Sequence, residues 1–546
     1  MRIPVGRRER LTRLLSSHWW RAAAALAAGA LPVLAFPAPG LWWFAYVSLV
    51  PWLLLVRTAP TARRALLDGW LGGTGFMLAV HHWLLPNLHV FLVLVAALLG
   101  LLWAPWGWLV RLMLGGHPSA ARAAASLAVL PSGWLMVELV RSWEGLGGPW
   151  GLLGASQWQV PFALRLASVG GVWLVSLLVV AVNTAVAALV AVRPARVPSA
   201  VGLGACAVAV GAVWIWSPGP GPSGGEFRVA VVQPGVVPGP ERRFARSEQL
   251  TRELSGRDVD LVVWGESSVG MDLSARPDLS ARLAALSRTV DAGILVNVDA
   301  RRPAGARTTP VGEDRGGIFK SSVLVGPAGP TGDRYDKMRL VPFGEYVPAR
   351  GLLGWATSVG RAAGEDRMRG DRQVVMAVPD GQPGTAVRVG PLVCFESAFP
   401  DMSRRLAGDG AEVLIAQSAT STFQESWAPA QHASLAALRA AETGRPMVHA
   451  TLTGVSAVYG PDGGQVGERL GTDDSAAAVY GVPLVHGTTP YVRFGDWAVY
   501  GALAVLGALC LTGVARRVVP VLRRPAPGPP VRPARTAHGS AARPRR

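Results

Sequence analysis

Cysteine is scarce in this sequence, with three in 546 residues, and no spacing among Cys206, Cys394 and Cys510 suggests a disulfide framework or a zinc site. Cys206 and Cys510 lie inside uncharged apolar runs and read as small core residues. That leaves Cys394 as a lone thiol. Charge is scarce as well: charged residues make up 16% of the chain and hydrophobic ones 50%, which excludes an ordinary soluble protein. Acids are the scarcer sign, 35 against 53 basic residues, and a net charge of +18 would point to a nucleic-acid partner if it were spread along the chain. It is not spread. Five Arg against Glu9 in residues 1–13, and nine Arg with no acid in residues 516–546, account for thirteen of the eighteen charges. Arginines flanking apolar runs act as topology anchors, so no nucleic-acid partner is expected, and neither is a metal or a cofactor.

Long apolar runs are what the chain has in abundance. Stretches near the ~20 residues needed to cross a bilayer recur around 18–36, 40–56, 66–86, 88–110, 121–140, 169–192 and 198–216, with an eighth at 496–515. The first follows a basic head without a small-residue cleavage site, and reads as an uncleaved helix. Arg57, Arg63 and Arg64 follow the second run, Arg111 and Arg122 separate the fourth from the fifth, and Arg193 and Arg196 separate the sixth from the seventh. With the two termini these are every second connection. The positive-inside rule puts them in the cytoplasm and turns residues 217–495 outward.

Residues 217–225 are too rich in Pro and Gly for regular structure and read as a linker between a membrane domain, 1–216, and an outward domain, 226–486. In the outward domain, β runs at Phe227–Val232, Val259–Trp264, Gly293–Val298, Ser321–Val325, Ala386–Cys394, Val413–Gln417, Met447–Thr451 and Ser456–Tyr459 alternate with helical stretches. The helical ones are Glu241–Leu254, Leu279–Ala292, Ser403–Gly408 and Ala428–Thr443. Such alternation specifies a layered α/β domain. A C-terminal span at 496–515 follows, and then a tail, 516–546, rich in Pro, Ala and Arg and expected to be cytoplasmic and disordered.

Three places in the outward domain put polar residues where a strand should end. Val262-Val263-Trp264 delivers Glu266 into a turn; Arg334 to Pro348 is a dense mixture of charge, aromatic rings, Gly and Pro that includes Lys337 and Glu345; and Val389 to Val393 delivers Cys394, followed by Glu396. Taken singly, Glu266 suits a helix cap, Lys337 a solvated loop charge, and Cys394 a small buried residue. Taken together they make a nucleophile with a base and a cation. A free thiol is only a few per cent thiolate at neutral pH, so a carboxylate within hydrogen-bond reach serves it as general base, and an ammonium stabilises the oxyanion that attack on an acyl group creates.

In the order Glu266, Lys337, Cys394, separated by 71 and 57 residues, these groups resemble the triad of the nitrilase superfamily. Apolar runs on both sides of the domain, and the string Leu340-Val341-Pro342-Phe343-Gly344-Glu345-Tyr346-Val347-Pro348, resemble the apolipoprotein N-acyltransferase branch of it over residues 15–515. The resemblance implies a polytopic α-helical membrane domain of about eight spans with an extracytoplasmic nitrilase-like αββα sandwich, in a bacterial plasma membrane. It implies a phospholipid acyl donor, a Cys394 thioester, and as acceptor the α-amino group of a diacylglyceryl-cysteine at a lipoprotein N-terminus. Glu345 and Glu396 match further acids of the family's site, with supporting roles, and a monomer is expected. Weaker matches run from Ser132 through Glu138 and Arg141 to Gly148-Pro149-Trp150 and Gly154 to Gln157. Glu138 and Arg141, one helical turn apart, are expected to neutralise each other, and His81 and His82 to pack at the interface rather than bind metal.

The chain departs from the family's pattern in three places. Gly265 stands where Pro is usual, Phe395 where Tyr is usual, and Gln417 to Phe423 replaces an Asn-Asp pair followed by Trp-Phe-Gly. The last motivates a competing reading, a catalytically altered paralogue that binds lipoproteins. A membrane-tethered amidase of the nitrilase type is a further alternative, against which eight spans argue.

Overall fold

The computed structural model describes residues 17–216, 219–302, 316–353, 364–380 and 384–522; the basic head at 1–13 and the tail beyond 522 lie outside the described residues. The apolar N-terminal sequence is helical, since away from water a helix satisfies its own backbone N–H and C=O groups. Its helices are α1 (His18–Ala30), α2 (Val50–Arg57), α3 (Ala62–Val80), α4 (Phe91–Gly100), α5 (Ala104–Leu114), α6 (Ala120–Arg141), α7 (Pro161–Ala191) and α8 (Arg196–Trp216). A 3-10 turn over Leu101–Trp103 fuses α4 to α5. Trp52, Trp103, Trp106 and Trp134 are fully buried and meet edge to face at 5.1–5.9 Å in the centre of this bundle.

Among the described residues, four helical stretches are long and apolar enough to cross a membrane: Phe91–Leu114, Ala120–Arg141, Pro161–Ala191 and Arg193–Trp216. Eight apolar runs were expected, and the shortfall has local causes. In α3, glycines and charge dilute the hydropathy. Its Asp68 is fully buried and accepts hydrogen bonds from Arg21 Nε at 2.9 Å and Arg64 Nε at 2.8 Å. Trp42–Arg57 and Trp497–Thr512 are apolar but shorter. The run expected at 169–192 is the second part of α7. That helix starts at Pro161 and breaks at Gly170 and Gly171, the latter at φ +69°, where a side chain would meet the Tyr491 ring at 2.6 Å.

Among the described residues after α8 the strands form two six-stranded sheets. The first comprises β1 (Gly221–Gln233), β2 (Leu261–Trp264), β3 (Gly293–Arg302), β4 (Gly317–Gly326), β5 (Gly329–Asp336) and β12 (Ala476–His486), in the order β12-β1-β2-β3-β4-β5. The second comprises β6 (Met376–Pro379), β7 (Ala386–Val393), β8 (Val413–Ser418), β9 (Met447–Thr451), β10 (Ser456–Tyr459) and β11 (Gln465–Leu470), in the order β11-β10-β9-β8-β7-β6. Each has a parallel centre, β1-β2-β3 in one and β7-β8-β9 in the other, with antiparallel rims. Central strands such as Leu261-Val262-Val263-Trp264 are apolar without alternation because both faces are covered. Val229, Val263, Leu295, Val389, Ile415 and Val448 fill the space between the sheets.

Helices α9 (Pro240–Arg252) and α10 (Pro277–Val290) cover the outer face of the first sheet, and α11 (Pro400–Gly408) and α12 (Ala428–Thr443) cover the second, giving an αββα sandwich. The stretch at 217–225 is not irregular throughout. β1 already begins at Gly221, whose partner is His486, and a bulge between Pro222 and Glu226 absorbs the Pro-Gly sequence. A last helix, α13 (Trp497–Leu522), runs past the end expected at 515.

Nearly every residue of α12 is buried, because its far side packs on the membrane helices in one continuous apolar core. Polar contacts help fix that docking. Glu442 on α12 accepts the backbone N–H of Val172 at 2.7 Å, capping the part of α7 that restarts after the kink, while pairing with Arg439 at 2.8 Å. Removing one partner of a buried pair costs about 3–5 kcal/mol. Glu442→Ala is therefore expected to lower the Tm of the detergent-solubilised protein by several degrees; an unchanged melting curve would contradict this role.

Candidate active site

The site lies where β2 and β7 end. Beyond β2 the chain passes so close to the second sheet that a side chain on Gly265 would sit 2.0 Å from the backbone nitrogen of Leu452. Glycine is thus required by this backbone path, whatever other chains place there. Glu266 then anchors through its N–H to Ser418 O at 3.1 Å, and Ser267 turns the chain at φ +54°. Beyond β7, Cys394 sits at φ +50°, a conformation that costs a non-glycine residue of order 1–3 kcal/mol and that surrounding contacts must hold.

Those contacts come from two directions. Ser397 Oγ donates to the Cys394 carbonyl at 2.9 Å, and His432 Nε2 lies 3.2 Å from that carbonyl and 2.9 Å from Ser397 Oγ. Burial holds His432 down at about 4, so it is neutral here. Glu396, fully buried, accepts hydrogen bonds from Tyr335 OH (2.7 Å), Met338 N (2.7 Å), Arg339 N (3.0 Å) and Val393 N (2.8 Å). It ties the end of β7 to the segment carrying Lys337. Burial pushes its carboxyl pKa up, against the donors that surround it.

Lys337, 1% exposed, donates to Glu345 Oε1 at 2.8 Å and to Glu266 Oε1 at 3.3 Å. Glu345 Oε2 accepts the N–H of Val341 at 2.8 Å, which fixes it in its own loop. Burial raises the carboxyl of Glu266, but the ammonium groups of Lys320 and Lys337 outweigh it and hold the pKa at about 2. The Cys394 thiol goes the other way: burial and the Glu266 charge push it up to about 12, with Lys337 opposing. The thiol donates a long hydrogen bond of 3.9 Å to Ala419 O. At rest the proton is on sulfur, the carboxylate is ionised, and a cation bridges two carboxylates beside them. Such a set can pass the thiol proton to Glu266 as sulfur attacks a carbonyl carbon, with Lys337 in reach of the oxygen that becomes negative.

A family model described as the apolipoprotein N-acyltransferase N-terminal domain matches residues 28–185, and the carbon-nitrogen hydrolase model matches residues 228–474. An apolipoprotein N-acyltransferase from Azotobacter vinelandii is 32% identical over 521 residues, spanning 91% of this chain and 96% of that protein. The chain belongs to the apolipoprotein N-acyltransferase family. Another member, from Pseudomonas aeruginosa, is 30% identical over 526 residues, with 92% of this chain and 97% of that one covered. A solved amidase from Nesterenkonia sp. overlaps at 19% identity, 49% of this chain and 92% of its own, with a TM-score of 0.31, too loose a likeness to argue from. Membership makes the protein an acyltransferase with a nitrilase-like domain and apolar membrane helices.

The three acids, the lysine and the cysteine singled out from sequence, Glu266, Glu345, Glu396, Lys337 and Cys394, all converge here, with Glu396 turned toward backbone N–H groups rather than toward the thiol. Sequence reading missed Lys320 on β4, which donates to Glu266 Oε1 at 3.0 Å and to Ser267 Oγ at 2.9 Å. A lysine in the otherwise apolar and small run Gly317 to Val325 was the available signal. The departing loop is also well tied. Gln417 Nε2 donates to Trp264 O at 2.8 Å and to Leu295 O at 3.1 Å, stitching the two sheets together, and Phe423 meets Trp83 of the membrane domain edge-on at 4.9 Å.

The membrane domain forms part of the wall. Gly148, at φ +72°, lies so close to Phe395 and Phe399 that a side chain would approach their rings to 2.7 and 2.8 Å. Trp150 Nε1 donates to Gln431 Oε1 on α12 at 2.8 Å. Glu138 and Arg141, whose opposite charges act on each other as expected, also hold this arm: Glu138 accepts the N–H of Leu153 at 2.8 Å and Arg141 donates to Trp150 O at 2.6 Å. The His82 ring packs edge-on against Trp427 at 4.4 Å.

Because the Glu266 charge raises the thiol pKa, Glu266→Gln is expected to move the onset of Cys394 thiolate absorbance to lower pH. Lys337→Met is expected to move it to higher pH. The same onset in both variants and the native protein would mean that the three groups are not coupled.

Proposed function

We propose that the protein transfers an acyl chain from a membrane phospholipid, through a Cys394 thioester, to the α-amino group of the N-terminal diacylglyceryl-cysteine of lipoproteins. Sulfur attacks the ester carbonyl while its proton passes to Glu266. Lys337 and the backbone N–H of Phe395 take the oxyanion, an effect worth ~3–4 kcal/mol per well-placed donor. The C–O bond then breaks, Glu266 returns the proton to the departing alkoxide, and a lysophospholipid leaves. In the second half the amine attacks the thioester and gives a proton to Glu266. The C–S bond breaks, and the proton returns to sulfur as the amide is released. Glu345 holds Lys337 charged, and Glu396 positions the Lys337 segment against the nucleophile turn.

The observation that carries this reading is the Lys337 ammonium shared by Glu266 and Glu345, beside a thiol whose surroundings are partly walled by the membrane domain. Both substrates are lipids, which accounts for a thiol acyltransferase built into apolar helices. Among the described residues, four stretches meet the length and hydropathy needed to span. Together with α1, the Trp42–Arg57 segment, α3 and α13 they supply eight crossings. Loop arginines then keep both termini in the cytoplasm and residues 226–486 outside, with 1–216 and 496–515 in the membrane, and the unit is a monomer.

Purified protein in vesicles with acyl-labelled phospholipid is expected to acquire a hydroxylamine-sensitive label on Cys394 and pass it to a diacylated lipopeptide, with both steps lost in Cys394→Ala. Transfer undiminished in Cys394→Ala would overturn the mechanism. A label that never reaches the amine would favour a non-transferring paralogue, and ammonia release from a small amide without acyl transfer an amidase.

A further inference from the structure

We propose that Lys320 is a positioning residue for the acylation step: it keeps the Glu266 carboxylate ionised and aimed at Cys394, which lets Lys337 leave Glu266 and follow the charge onto the substrate oxygen. The proposal rests on the reading of Glu266 as the general base.

The geometry is that of a second ammonium on the same carboxylate. Lys320 lies on β4 directly opposite Asp299 on β3, and its side chain is 12% exposed. Its Nζ reaches Glu266 Oε1 at 3.0 Å, Asp299 Oδ2 at 3.4 Å and Glu345 Oε1 at 3.8 Å, and donates to Ser267 Oγ at 2.9 Å. Ser267 Oγ in turn donates to Asp299 Oδ2 at 3.2 Å, and Arg367 Nε sits 3.3 Å from Asp299 Oδ1. The backbone carbonyl of Lys320 accepts the N–H of Lys337 at 2.8 Å, so the two lysines are fixed relative to each other.

Three carboxylates, Glu266, Glu345 and Asp299, face three cations, Lys320, Lys337 and Arg367. When the thiol proton arrives on Glu266, that carboxylate becomes neutral and the negative charge appears on the substrate oxygen. Lys337 is then released from one of its partners. Lys320 is not stranded, because Asp299 and Glu345 remain, and a buried unpaired ammonium, which would oppose the proton transfer, never forms. With a single lysine, holding the base ionised and receiving the oxyanion would fall to the same group. Lys320 from β4, Lys337 from the segment after β5 and Cys394 after β7 act on Glu266 directly, and neutral His432 faces it from α12. Asp299 from β3, Glu345 from the segment after β5 and Arg367 from the loop beyond Tyr346 act through Lys320 and its partners.

Burial alone raises the Glu266 pKa and Lys320 opposes it, so loss of the ammonium raises it, and the base protonates at a higher pH than in the native protein. Single-turnover acylation of Cys394 is measured on the full chain in phospholipid vesicles between pH 5 and 8. The native rate is expected to show no acid limb, whereas Lys320→Met and Lys320→Gln each lose about three-fold or more between pH 7 and pH 5. Lys320→Arg is expected to restore the flat profile. Gln keeps a hydrogen bond to Ser267 without the charge, and covers the case in which Met does not fold. A flat profile in either folded neutral variant, even at a rate reduced equally at every pH, would overturn the proposal and leave Lys320 a structural residue. Absence of any Cys394 adduct in the native protein would instead overturn the underlying mechanism.

Discussion

Everything at the site depends on one buried contact, the Lys337 ammonium held between Glu266 and Glu345 at 3.3 and 2.8 Å. Burying a charge is costly unless it is paired and hydrogen-bonded, and here the partners are supplied from separate parts of the chain. Glu266 is set by the end of the first sheet, Glu345 by its own loop, and the thiol by the end of the second sheet. The sandwich brings strand ends from both sheets to one place, and Gly265 permits the approach that closes it.

The second constraint is the partner of the outer helix layer. A free-standing sandwich would expose the far side of α12. In this chain it is buried against membrane helices, fixed by Glu442 on the N-terminus of the restarted α7 and by Trp150 on Gln431. The arm that follows α6 therefore reaches the residue after Cys394, with Gly148 against Phe395. The surroundings of Cys394 are thus made by both halves of the protein.

Much of this was legible in the sequence because the candidate groups sit at strand ends, where an apolar run breaks into Glu266 or Cys394. The central strands were legible for the same reason: burial on both faces makes them continuous apolar runs. The rim strands were not. β5 reads Gly-Pro-Thr-Gly-Asp-Arg-Tyr-Asp and β11 Gln-Val-Gly-Glu-Arg-Leu, and both are strands through pairing with β4 and β10 rather than through their own preference. Lys320 fell just outside the run expected at Ser321–Val325, and nothing in the local pattern says that it meets a carboxylate 54 residues earlier. The kink in α7 was hidden because Gly170-Gly171 is too short an interruption to show in hydropathy, and buried Asp68 in α3 marks an internal ion cluster rather than the end of a span.

The central claim is that the resting site stores its proton on sulfur beside an ionised base and is not a preformed thiolate. Thiolate absorbance of the full chain, with Cys206 and Cys510 replaced by serine, tests it most directly. The account predicts no thiolate signal from Cys394 between about pH 6 and about pH 9, since its pKa is pushed up to about 12. A step with its midpoint at or below neutral pH, absent from a further Cys394→Ala variant, would contradict it.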